Sequence, residues 1–291
     1  MRLDQINIRD PYILRHDGVY YLYGTRSDTC WGEAEGFDCY VSPDLKVWEG
    51  PVEIFRRPEN FFATKCYWAP ECYAYRGSFY LLTTFGGDDI KKGIFLLRSD
   101  SPEGPFELFS DRLAPEEWAC IDGTLYFGGK RVFLIYSRSF EDVPDADICI
   151  QELSKDLKET VGTPRTLFKA KEAPWAKPFP YAREEFGMEG EVYFSDGPCV
   201  FTLKDGRLCM TWSSWSRGSY AVGAAVSESG SIDGPWKQQE IPLWPENGGH
   251  GMVFEDENGE RFFVFHYPND KTLERPCIKK LTEQNGLLKL V

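Results

Sequence analysis

Apolar and polar residues alternate along most of this chain in short runs, and the runs come in pairs. The first pair is "RDPYILRHDGVYYLYGT", which begins at residue 9. An apolar run, a polar turn and a second aromatic run read as strand, turn, strand, because alternation at period two marks a strand buried on one face. The same grammar returns in "WAPECYAYRGSFYLLTTF" (68–85), "IDGTLYFGGKRVFLIYSRS" (121–139), "SDGPCVFTLKDGRLCMTWSS" (195–214) and "GGHGMVFEDENGERFFVFHY" (248–267). The turns hold Asp17-Gly18, Arg76-Gly77, Gly128-Gly129, Asp205-Gly206 and Asn258-Gly259. Glycine there supplies the positive φ of a tight hairpin. A third apolar run follows most pairs ("FDCYVSP", "GIFLLRSD", "DICIQELS", "YAVGAAVSES"), and a polar segment such as "SPEGPFEL" or "SGSIDGPWKQ" then reads as an outer fourth strand.

Helical periodicity is weak, and its one candidate is a turn near "APEEWAC" (114–120). The longest irregular stretch, 171–191, is rich in Pro and charge and reads as a loop within one domain spanning 1–291. Repeats of roughly 40 to 75 residues, each of three or four antiparallel strands, predict an all-β fold, a five-bladed β-propeller. In such a fold the first strand of every blade lines a central channel. The starts of those strands, at Asp10, Trp68 to Glu71, Asp122, Asp196 and His250, would then form a ring at one axial end, and Pro or Gly follows each acid. Carboxylates brought together push their pKa values apart, so one acts as acid and another as base. Breaking a glycosidic bond takes that arrangement.

Composition narrows the alternatives. Net charge is −13, from 46 acids and 33 bases, with no basic run. That disfavours nucleic acid and anionic membranes as partners. Nine cysteines, an odd number with no CxxC pair, argue against a disulfide framework or a zinc site. The N-terminus lacks an apolar core of the kind a signal peptide carries, so a soluble cytoplasmic protein is expected. Neither a P-loop nor a Gly-rich dinucleotide turn is present.

In their order along the chain, "RDPYI", "WAPE", "IDGT", the "DGP" before a long hairpin and "GGHGM" resemble the five signature positions of glycoside hydrolase family 43. The resemblance implies a five-bladed propeller and an inverting glycosidase, with the active site at the axial end of the channel. It implies action mainly on arabinofuranosides and xylosides; since a cytoplasmic location favours short imported oligosaccharides, exo-action on arabinofuranosides, xylosides or related small sugars is expected, with an oligosaccharide as partner. Asp10 would be the general base, and Asp122 would tune and orient the acid. The acid would come from the fourth blade, where Asp196 stands in place of the family's Glu, with Glu189 or Glu191 as alternatives. No cofactor is required on this reading, although His250 is a candidate metal position, with calcium or another ion near it. Trp68 would shape the sugar pocket, with Trp31, Phe85, Trp215 and Arg275 as further candidate sugar contacts. Two rival readings stand beside it: a sugar-binding propeller that has lost its acid, motivated by Asp196, and a phosphorylase of β-linked mannosides, for which no basic phosphate cluster is visible.

Overall fold

The computed structural model describes residues 1–284 and 287–291. Five four-stranded antiparallel sheets follow one another, each laid down in chain order without a crossover. Blade one holds β1 (Ile8–His16), β2 (Val19–Arg26), β3 (Gly36–Ser42) and β4 (Glu49–Arg56). Blade two holds β5 (Lys65–Tyr75), β6 (Ser78–Gly86), β7 (Gly93–Ser99) and β8 (Glu107–Leu108). Blade three holds β9 (Cys120–Gly128), β10 (Arg131–Arg138), β11 (Asp147–Leu153) and β12 (Thr160–Lys169). Blade four holds β13 (Asp196–Thr202), β14 (Leu208–Ser216), β15 (Ser219–Ser227) and β16 (Trp236–Gln238). Blade five holds β17 (Gly249–Glu255), β18 (Arg261–Tyr267), β19 (Arg275–Gln284) and β20 (Leu287–Leu290). The fold is a five-bladed β-propeller. The second strands read as nearly continuous apolar runs because blades cover them on both faces. β6 is buried along its whole length.

The core lies between blades. Phe37, Phe55, Tyr67 and Phe85 interlock between blades one and two, and Phe168, Trp175 and Trp212 between blades three and four. Aromatic pairs of this kind add to simple area burial. Phe85, expected at the sugar, is fully buried in the first cluster, since its place on the all-buried β6 turns it into the blade interface.

Blades one and five share no strand, so side chains help to close the ring. Arg275 donates from Nε to the carbonyl of Asp4 at 3.2 Å and from Nη1 to that of Glu274 at 2.7 Å. Asn7 Nδ2 donates to the Glu274 carbonyl at 2.8 Å. Arg275, expected as a sugar contact, therefore works as a backbone clamp at the closure. The "APEEWAC" stretch is a turn, as expected. The 171–191 segment, expected as plain loop, contains a short helix, α1 (Ala182–Phe186), capped by Gly187 in the left-handed region. Among the described residues no helix is long and apolar enough to cross a membrane.

Candidate active site

Every inner strand carries a β-bulge at the same level. Two residues oppose one on the second strand at Asp10-Pro11, Ala69-Pro70, Asp122-Gly123, Gly197-Pro198 and His250-Gly251. The first residue of each pair has positive φ: Asp10 50°, Ala69 47°, Asp122 57°, Gly197 52° and His250 43°. Such a conformation costs a non-glycine residue on the order of 1 kcal/mol, and bulges re-aim side chains near functional sites. Gly197 is required on two counts, for a Cβ there would also meet the His250 ring at 2.9 Å. The second residue of each pair is Pro or Gly throughout, and this sets the true alignment of the repeats. Ala69 and Gly197, rather than Trp68 and Asp196, are the equivalents of Asp10, Asp122 and His250.

The bulges are tied across blades. The Ala69 N–H donates to Thr25 Oγ1 at 2.8 Å, Asp122 N–H to Thr84 Oγ1 at 2.9 Å, and His250 N–H to Ser213 Oγ at 2.9 Å. At the ring closure a histidine replaces the hydroxyl: the Asp10 N–H donates to His266 Nδ1 at 3.3 Å. His266 is fully buried, and its Nε2 lies 3.0 Å from Asn269 Oδ1. Burial, with Arg9 nearby, lowers its pKa, in keeping with a neutral ring that accepts at Nδ1 and donates at Nε2. The sequence reading missed His266. Its signal was positional, since "GTR", "TTF", "YSR", "WSS" and "FHY" stand in register near the ends of the five second strands.

This framework gathers Asp10, Asp122 and Asp196 around one imidazole. His250 Nδ1 lies 3.5 Å from Asp10 Oδ1, 3.5 Å from Asp122 Oδ2 and 4.0 Å from Asp196 Oδ1. The three carboxyls differ in surroundings. Burial alone would raise Asp10, but His250, His266 and Arg9 outweigh it and hold Asp10 well below the ordinary carboxylate range. Thr25 Oγ1 also donates to Asp10 Oδ2 at 2.7 Å. Burial pushes Asp122 up to about 7, against His250 and with help from Asp196 and Asp10. Burial likewise pushes Asp196 up to about 7, although Tyr220 donates to its Oδ1 at 2.6 Å and favours the anion. One carboxylate thus stays ionised while two carboxyls titrate near neutral pH, the division that acid–base chemistry needs.

Below this layer the channel is filled. Tyr12, Glu71, Thr124, Cys199 and Met252 follow the five bulges in register. Glu71 accepts from the Tyr73 hydroxyl, which sits 3.0 Å from Thr124 Oγ1. It supports the floor and takes no place in the cavity.

Above the layer opens a cavity of about 740 Å3 that reaches all three aspartates and His250. Trp31 and Trp68 form one wall, with ring centroids 5.5 Å apart; Trp68 Nε1 donates to the Cys30 carbonyl at 2.7 Å. The second wall is aromatic too: Trp215 meets Phe179 at 5.3 Å and Tyr181 at 5.9 Å, both edge to face, and Phe186 meets Phe140 at 5.0 Å. The sequence reading missed most of this wall because 171–191 has no strand period. Glu189 and Glu191 are exposed and pair with Arg183 and Lys171. Neither lines the cavity, which removes both as candidate acids.

Asp122, Asp196 and His250 offer one atom each within 4.8 Å of one another. By reach and charge that set fits a cation, which would supply positive charge against the carboxylates and hold Asp196 ionised.

A propeller with buried carboxylates of unlike pKa at one end of its axis fits a glycoside hydrolase. The chain belongs to the glycosyl hydrolases family 43, whose model matches residues 5–287, and it is a glycosidase. Its structure is similar to that of an endo-arabinase from Bacteroides thetaiotaomicron VPI-5482, with a TM-score of 0.88 and 36% identity over 98% of both chains. It is also similar to a thermostable family-43 glycoside hydrolase, with a TM-score of 0.80 and 27% identity over 98% of this chain and 92% of that one. A third likeness, to an endo-1,4-beta-xylanase from Bacteroides thetaiotaomicron VPI-5482, has a TM-score of 0.77 and 24% identity, covers 100% and 95% of the chains, and bears on the fold alone. No curated protein sequence matches this one.

Proposed function

We propose that this glycosidase hydrolyses α-L-arabinofuranosyl linkages in oligosaccharides with inversion, Asp196 being the acid, Asp10 the base and Asp122 the residue that tunes the acid. The observation that carries this reading is the shared imidazole: Asp10 and Asp196 face His250 from two blades, one held well below the ordinary carboxylate range and the other pushed up to about 7. Asp196 gives its proton to the departing glycosidic oxygen as the bond to the anomeric carbon breaks. A water attacks that carbon from the opposite face and passes a proton to Asp10. One water is consumed, and each product carries one new hydroxyl. Asp122, which accepts from the N–H of Gly197 next to Asp196, helps to orient the acid, while the ionised Asp10 favours its protonated form.

Arabinose as the sugar is supported by the 36% identity to a protein described as an endo-arabinase. The sequence led to an expectation of chain-end action. The size of the cavity and its aromatic walls at two blade junctions support a chain that runs past the carboxylates in both directions, and hence internal cleavage. Asp10→Asn is expected to abolish turnover of arabino-oligosaccharides. Asp196→Ala is expected to lose about 10²- to 10⁴-fold on them but far less on an aryl arabinofuranoside, whose leaving group needs no proton. Proton NMR of the first-formed anomer reports inversion, and a reducing-end-labelled hexasaccharide reports where the chain is cut. Cleavage of xylosides or galactosides but not arabinosides would overturn the sugar. Retained configuration would overturn the roles, and release of monosaccharide alone would overturn internal cleavage.

A further inference from the structure

The residue before the base is an arginine, and the reaction above does not use it. Arg9 pairs with Thr25 across β1 and β2 just ahead of the bulge. Trp68 pairs likewise with Thr84, Ile121 with Ser137, Asp196 with Ser213 and Gly249 with His266. These five form one ring, a layer nearer the mouth than Asp10. Blade four places the acid Asp196 in that ring, and blade two places Trp68. Blade one places a guanidinium there, and it lines the same cavity.

Arg9 is fixed on two sides. Its Nη1 donates to Glu274 Oε1 at 3.0 Å, and Glu274 is 1% exposed. Its guanidinium carbon lies 5.3 Å over the ring of Trp31. Nε is 3.8 Å from Asp10 Oδ1, which is too long for a hydrogen bond. A guanidinium has five N–H donors in a rigid fork, and among the described residues only Glu274 takes one of them. A pre-positioned cation with unfilled donors beside the base calls for acceptors on the ligand. The cavity also carries Lys65, Lys92 and Lys271, but the ionised Asp10 lies 3.8 Å from Arg9 Nε, so an anionic group seated on Arg9 would be repelled by the base. The acceptors that remain are the hydroxyls of a neutral sugar.

We propose that Arg9 binds ring hydroxyls of the sugar whose glycosidic bond is cut, with the buried Glu274 as the residue that positions it. This inference rests on the proposed acid–base site but not on the identity of the sugar. The test is a cycle between protein and substrate. Wild type, Arg9→Gln, Arg9→Lys and Glu274→Gln are assayed on an aryl arabinofuranoside and on its 2-deoxy and 3-deoxy analogues. Arg9→Gln is expected to lower kcat/KM about 10- to 100-fold on the parent and by under about threefold on the analogue that lacks the bound hydroxyl. Glu274→Gln is expected to show the same pattern more weakly, and Arg9→Lys to recover part of the loss. Each ratio compares substrates on one preparation, so incomplete folding cancels. Equal loss on all three substrates would overturn the inference and leave Arg9 a structural cation. If wild type fails on the parent arabinoside, the proposed sugar falls, and the same cycle decides Arg9 on whichever glycoside and deoxy pair is cleaved.

Discussion

Replacing Glu71 with glutamine should stabilise the protein increasingly as pH rises through neutrality. Glu71 is 7% exposed beneath the catalytic layer, bonded to Tyr73, whose hydroxyl also accepts from the Leu125 N–H at 2.9 Å. Burial, the largest influence, pushes its pKa from 4.5 to about 8, and nearby Asp122 adds to the rise. The folded state therefore keeps the proton to about pH 8, whereas the unfolded chain releases it near 4.5. The folded pKa is the higher, so the contribution is fully present below 4.5 and is lost as pH rises to about 8. At about 1.4 kcal/mol per pH unit, the loss is roughly 3 kcal/mol at pH 7 and on the order of 5 kcal/mol above pH 8. Glutamine has no proton to lose, and its amide oxygen can accept from Tyr73 in the same way. At about 2 °C per kcal/mol for a chain of this size, the variant should melt roughly 5–10 °C above wild type near pH 8, with little gain at pH 5. Thermal unfolding across that range measures the difference, and contributions from Asp122 and Asp196 cancel between the two proteins. Parallel melting curves at all pH values would refute the neutral, buried carboxyl.

Two further outcomes follow from the site. Tyr220→Phe removes the donor that orients Asp196 at 2.6 Å, so kcat on arabino-oligosaccharides should fall about tenfold with KM little changed; a change confined to KM would place Tyr220 with the sugar instead. Removal of divalent ions with a chelator should leave turnover intact or raise it, because a cation on Asp122, Asp196 and His250 would strip the acid of its proton; loss of activity restored by calcium would show that a metal is required.

The repeat was legible because strand alternation and Gly-containing turns are local, and the five hairpins set the blades. Asp10, Asp122 and His250 were legible as strand starts for the same reason. Asp196 was found at the right place but one step out of register, because the Asp-Gly pair masked the Pro198 that marks the bulge. Phe85 looked like a sugar contact for its aromaticity, yet β6 is covered on both faces and leaves it no surface. Arg275 looked like a hydroxyl donor, yet the ring closes without strand exchange and its guanidinium is taken by carbonyls from both ends of the chain.

The sequence by itself determined the number of blades, the family and the residues that open the inner strands, since these depend on near-neighbour periodicity and on which side chains permit a bulge. Only the tertiary structure decided that Asp10 lies well below the ordinary carboxylate range while Asp196 and Asp122 are pushed up to about 7, that 171–191 is a wall of the cavity, and that Arg9 stands in the same ring as the acid. Those properties arise from charges and burial between blades tens to hundreds of residues apart, and no local pattern encodes a distance across the axis.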